Sequence, residues 1–219
     1  MANVPGSIIQ VGAFVDWHSR LVSVPQEVGD SPADRAGWAL KALGKGLTRI
    51  LCAERPDVRY RVSLRFYSGW TKGFTRSASY LALSSLPDLL DLDALFPSAR
   101  VSVISDISYG DSLIDGLPHR AYPGTNIHLY NTLRQQDGRR GPQEKMVDTA
   151  LASDLLSWVR ERPEQWAMVV SNDDDLVPPT FVAEAWAVPT GGNVMLIRSR
   201  DRCRDKYLQL EGLVRAIHD

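Results

Sequence analysis

Two uninterrupted apolar runs that each end on acid constrain this chain most. Residues 8–15 (IIQVGAFV) stop at Asp16, and Trp166–Val170 (WAMVV) breaks into SNDDDLVPP, which carries Asp173, Asp174 and Asp175. Short, continuous, β-rich runs suit strands buried on both faces, the situation of a parallel sheet covered by helices on each side. Both groups of acids then stand at the carboxyl ends of strands.

The segments between these runs carry the helical period. Residues 33–55 place Trp38, Leu40, Leu43, Leu47, Ile50 and Leu51 at helical spacing and stop at Pro56. Residues 60–67 alternate Tyr60, Val62, Leu64 and Phe66 against Arg61, Ser63 and Arg65, a strand with one face less buried, nearer a sheet edge. A broken helical region is expected over 78–95, strands over 101–104, 126–133 and 193–197, a helix over 142–161, another over 178–187, and a short helix in the tail. Strands alternating with helices predict an α/β fold: a three-layer α/β/α sandwich with a mostly parallel central sheet. The 219 residues read as a single domain, 1–219, in which 68–124 is an irregular, insertion-like section suited to specificity, a protein partner or homo-oligomer contacts.

In such sheets ligands bind at the carboxyl edge, near the point where strand order reverses. A helix preceding a parallel strand has its N-terminus at that edge, so Asp148, early in the 142–161 helix, reaches the same place as Asp16 and Asp173. At 100° per residue, Asp148 and Asp154 both fall within or beside the apolar arc of Val147, Leu151, Leu155, Trp158 and Val159. They stand ~9 Å apart along the axis, which suits Asp148 to the edge and leaves Asp154 a supporting role. Within the acidic triplet, Asp174 is the weakest candidate.

Singly, each acid has a plainer explanation. Asp175 can cap the helix opening near Pro178, and Asp148 can favour the positive end of a helix dipole. Their convergence on one edge, two of them on an apolar helical face, is harder to explain by capping. Clustered carboxylates repel one another unless cations neutralise them, and an all-oxygen set suits Mg²⁺ or Mn²⁺ and hence phosphoryl chemistry. The four histidines (His18, His119, His128, His218) are dispersed and read as surface or packing residues. The cysteines Cys52 and Cys203 lack metal-ligand spacing and read as reduced thiols of a cytoplasmic protein.

A formal net charge of −1 gives no global pull toward polyanions, so a nucleic acid must be held locally. Arg134, Arg139, Arg140 and Lys145 precede the acidic helix, while Arg198, Arg200, Arg202, Arg204 and Lys206 follow the last strand. Either group can grip phosphates or form a solvated charged face. Trp17 and Trp70 are candidates for base stacking or for the core. No run approaches the ~20 apolar residues of a membrane span, so no membrane partner is expected.

Three blocks, VGAFVD ending at Asp16, KMVDTALASD with Lys145, Asp148 and Asp154, and VVSNDDDLVP with Ser171, Asn172, Asp173, Asp175, Leu176 and Pro178, resemble the NYN family of PIN-like nucleases. The resemblance spans the framework from Ile8 to Ile197 but not residues 68–124. It implies a metal-dependent ribonuclease with Asp16, Asp148 and Asp173 as metal-binding acids and Asp175 close by, where it would ligate the ion or orient the attacking water, with Lys145 assisting on a phosphate and RNA rather than DNA as substrate. The family often has Asn three residues after the first Asp. Here that position is Ser19, which can still hydrogen-bond a phosphate or hydrated metal. The rival is a PIN-like module that has lost catalysis and binds RNA or a protein; a DNA nuclease is the second alternative.

Overall fold

The first apolar run forms strand β1, Ile8–Asp16, at the centre of a sheet that has seven strands among the described residues, and side chains alternate strictly across it. Val11, Ala13 and Val15 face one buried cluster and Phe14 the other. The computed structural model describes residues 8–86, 91–135, 141–199 and 210–217. After β1 come helices α1 (Trp17–Val22) and α2 (Pro32–Glu54), strand β2 (Arg59–Tyr67), a small hairpin of β3 (Thr71–Lys72) and β4 (Thr75–Arg76), and helices α3 (Ala78–Ser84) and α4 (Leu92–Leu95). Strands β5 (Val101–Val103) and β6 (Ser108–Tyr109) follow, then a second hairpin of β7 (Leu133–Gln135) and β8 (Pro142–Glu144). Helix α5 (Val147–Glu161), β9 (Trp166–Val170), α6 (Val177–Ala187), β10 (Asn193–Ser199) and β11 (Val214–Ile217) complete the order.

The central sheet runs β11-β10-β9-β1-β2-β5, with β6 also on β2, and every pairing in it is parallel. Helix α2 packs on one face with Val11, Val15, Met168 and Met195; α5 and α6 pack on the other with Phe14, Val169 and Leu196. The chain is thus an α/β fold with a parallel central sheet and helices on both faces, an arrangement compatible with a three-layer sandwich. Gly12 sets the closeness of α5: a Cβ there would lie 2.9 Å from the Trp158 ring. Strand β2 has only the short β5 and β6 beyond it, in keeping with its half-polar pattern.

Three local expectations fail, each for a backbone or packing reason. The strand expected over 126–133 does not form before Leu133, where β7 begins, because Asn126 and Asn131 adopt left-handed backbones (φ 54° and 60°) that extended pairing excludes. The helix expected over 142–161 begins only at Val147. Met146 is left-handed (φ 66°), and Pro142–Glu144 pair with β7 instead. The tail forms strand β11 rather than a helix over 214–217, since the open edge of β10 offers backbone partners and Gly46 of α2 makes room for Ile217. Trp17 and Trp70 are fully buried, which ends the stacking reading for both. Among the described residues no helix is long and apolar enough to cross a membrane.

Candidate functional site

From β1 the chain passes to β2 on one side of the sheet, and from β9 to β10 on the other, so the strand order reverses between β1 and β9. Asp16 is the last residue of β1, and Asp173 lies three residues beyond β9. Asp148 is in the first turn of α5, which runs back from that edge before β9.

Asp16 is 6% exposed and caps α1: Oδ1 accepts the Ser19 backbone N–H at 3.1 Å. Its Oδ2 accepts the Ser19 hydroxyl and the Ser171 hydroxyl, the latter at 2.8 Å. Ser171 in turn accepts the Asp173 N–H at 3.0 Å, so one hydroxyl ties the two strand ends together. Asp173 Oδ1 accepts the Asp175 N–H at 2.9 Å. Asp173, and not Asp175, is therefore the cap of the short turn before α6. Asn172 Oδ1 accepts the backbone N–H of Ser199, which anchors the loop to the end of β10.

Asp148 is half-buried, and that burial pushes its carboxyl up to about 6, with Asp173, Asp16, Glu144 and Asp175 adding to the shift in that order. Glu144 has no place in the sequence reading, yet its Oε1 accepts Ser68 Oγ at 2.7 Å and the Gly69 N–H at 2.5 Å, beyond the carboxyl end of β2. Its one sequence signal is position: an acid four residues before Asp148. Gly69 permits the approach, since a Cβ there would lie 2.3 Å from Leu133 on β7.

The other candidates separate. Lys145 is half-buried and donates its backbone N–H to Thr132 O at 2.8 Å, between Glu144 and α5. Arg198 is buried inside β10; it pairs with Asp174 at 2.7 Å and donates to Asp173 O at 3.2 Å, so it braces the acidic loop rather than a surface phosphate. Asp154 is buried 2.7 Å from Arg65 Nε and 2.9 Å from Tyr67 Oη, as a structural partner. Arg139, Arg140, Arg200, Arg202, Arg204, Lys206, Cys203 and His218 lie outside the described residues. A cleft of about 950 Å³ opens at the opposite, amino edge of the sheet, lined by Gln10, Arg55, Glu164 and Asn193, and none of these acids lines it.

A hard divalent cation suits the donor set of Asp16, Asp148, Asp173 and Asp175 in chemistry, all oxygen and in mutual repulsion. One feature weighs the other way: three of the roughly four lone-pair directions of Asp16 accept hydrogen bonds.

The raised acid gives a stability prediction. Between the ordinary 3.8 and about 6, the folded chain holds the Asp148 proton more tightly than the unfolded chain, so stability falls as pH rises through that window and stays lower above it. Discounted for partial exposure and for the lost first-turn charge, Asp148→Asn should stabilise the metal-free protein at pH 7.5 by ~1 kcal/mol, or about 2–4 °C in Tm. The gain should shrink toward pH 4. An unchanged or lower Tm at pH 7.5 would contradict the cost of holding this half-buried carboxylate charged beside its acidic neighbours. Compared with known proteins, the chain matches no family model, no curated protein and no solved structure.

Proposed function

We propose that this protein is a PIN-like, NYN-type phosphodiesterase that cleaves RNA internally with Mg²⁺ or Mn²⁺. The observation that carries the reading is the meeting of Asp16, Asp148 and Asp173, from three separate elements, at the carboxyl edge where the strand order reverses. The preference for RNA rests on the family resemblance alone.

Asp16, Asp148 and Asp173 would hold the ion, which supplies Lewis-acid stabilisation of the phosphorane charge and an activated water. The chain's own residues do the rest. Ser171 and Ser19 orient Asp16, and Ser171 also sets the position of the Asp173 backbone. Asp175, exposed beside Asp173, would ligate the ion or orient the attacking water, and the half-buried Lys145 would assist with a phosphate oxygen.

The test is incubation of the purified protein with end-labelled single-stranded RNA and the matched DNA, with Mn²⁺ or with EDTA. Internal RNA cleavage that requires Mn²⁺ is expected; cleavage of the DNA alone would replace RNA by DNA as substrate. The engagement of the Asp16 oxygens by three donors favours one second reading, a module that has lost catalysis and binds RNA or a protein. Absence of any cleavage, with no thermal shift on adding Mn²⁺, would select it.

A further inference from the structure

Three aromatic rings stand at the surface where two loops meet. Phe74, on the turn between β3 and β4, stacks on Tyr130 with ring centroids 5.0 Å apart and planes 8° apart. Tyr122 meets Phe74 at 4.8 Å and Tyr130 at 4.5 Å, edge-on to both. Despite these contacts Phe74 keeps 52% of its surface exposed, Tyr130 38% and Tyr122 36%. Rings recruited only to close a small core would bury their faces. Here two near-parallel rings stack on each other and still leave much of their surface in water.

The loops carrying these rings connect directly to the acidic edge. Gly73 and Asn131, the neighbours of Phe74 and Tyr130, exchange hydrogen bonds: Gly73 N–H to Asn131 Oδ1 and Asn131 N–H to Gly73 O, both 3.0 Å. Next to them the Thr71 N–H donates to Thr132 Oγ1 at 3.1 Å, and Thr132 O accepts the Lys145 N–H at 2.8 Å. Arg134, exposed, donates Nε to Asn131 O at 3.2 Å and brings Nη2 to 4.0 Å from Met146 Sδ, two residues before Asp148. Lys72, also exposed, sits on the hairpin that carries Phe74. A chain of net charge −1 offers no general attraction for a polyanion, so cations at this spot matter more than their number suggests.

We infer that Phe74 and Tyr130, backed by Tyr122, form a stacking platform for unpaired bases of single-stranded nucleic acid, while Arg134 and Lys72 hold phosphates between the platform and the carboxylate edge. Exposed aromatic rings beside cations are the chemistry of sequence-tolerant single-strand binding, because every base presents a π-face. The idea that the strand continues into the acids rests on the nuclease reading above; binding on the platform does not.

The test is fluorescence anisotropy in EDTA with a short oligouridine and an abasic strand of equal length. The wild-type protein should bind oligouridine at least ~10-fold more tightly. Phe74→Leu and Tyr130→Leu should each lose most of that preference while keeping their affinity for the abasic strand and a cooperative melt; Phe74→Tyr and Tyr130→Phe should retain it. Arg134→Ala should weaken both strands alike and lower the salt slope by about one. Equal wild-type affinity for the two strands overturns the platform without recourse to any variant, and is the outcome expected if the patch serves a protein partner. Base-dependent binding without Mn²⁺-dependent cleavage removes the nuclease and keeps the platform. Cleavage with no base preference in binding does the reverse.

Discussion

Asp173→Asn should reduce Mn²⁺-dependent RNA cleavage on the order of 10³-fold, ~4 kcal/mol of transition-state stabilisation, while the melting temperature stays within a degree or two. The fold should tolerate the change because Asp173 is exposed and its structural duty is to accept the Asp175 N–H through Oδ1, which an asparagine carbonyl performs as well. The charge, and with it the affinity for a divalent cation, is lost. Asp16→Asn is a poorer experiment. Asp16 is buried, caps α1 and receives two hydroxyls on one oxygen, so an amide there would force the serines to turn. We expect Asp16→Asn to lower stability by ~1 kcal/mol as well as abolish activity. Undiminished metal-dependent cleavage by Asp173→Asn, measured with end-labelled RNA, would end the assignment.

Asp154→Ala should be strongly destabilising at the buried face of α5. It strips Arg65 of its carboxylate and leaves the Tyr67 hydroxyl and the Ile114 backbone N–H, each 2.9 Å from Asp154, without their acceptor. Breaking a buried ion pair from one side costs ~3–5 kcal/mol, roughly 6–20 °C in Tm for a chain of this size. Because Arg65 also donates to Ser112 O, the pair fastens the 112–114 loop to both β2 and α5. A double variant, Arg65→Met with Asp154→Leu, should recover only part of the loss: no charge is then left buried alone, but the Tyr67 hydroxyl and the Ile114 N–H still lack their acceptor and Ser112 O loses its Arg65 donor. Chemical denaturation of the three proteins is decisive: a loss below ~1 kcal/mol in Asp154→Ala would show that the pair does not hold this layer together.

The acidic edge was partly legible because its parts are local. The runs ending at Asp16 and at the 173–175 triplet are readable as strands, and the 3.6-residue period puts Asp148 near the helix start beside the apolar arc, although the start at Val147, which places it in the first turn, was not readable. The same period identified Asp154 as inward-facing, and it is buried, although its Arg65 partner lies 89 residues away and left no trace in any local window. The failures share a cause. The hairpin of β7 and β8, the strand at 214–217 and the left-handed Asn131 and Met146 depend on neighbours that sequence windows do not contain.

The sequence by itself therefore determined the α/β class, the central strands and the helices that cover them, and the acids at the carboxyl edge, because apolar runs and helical periods are set within a few residues of chain; the edge strand β11 it did not determine. Tertiary structure alone decided who serves whom among the polar groups. The Ser171 hydroxyl reaches Asp16 across 155 residues, Glu144 reaches Ser68 across 76, and Phe74 meets Tyr130 from a different loop. A hydrogen bond or a ring contact is a matter of a few ångströms in space, and separation along the chain carries no record of it until the sheet has closed.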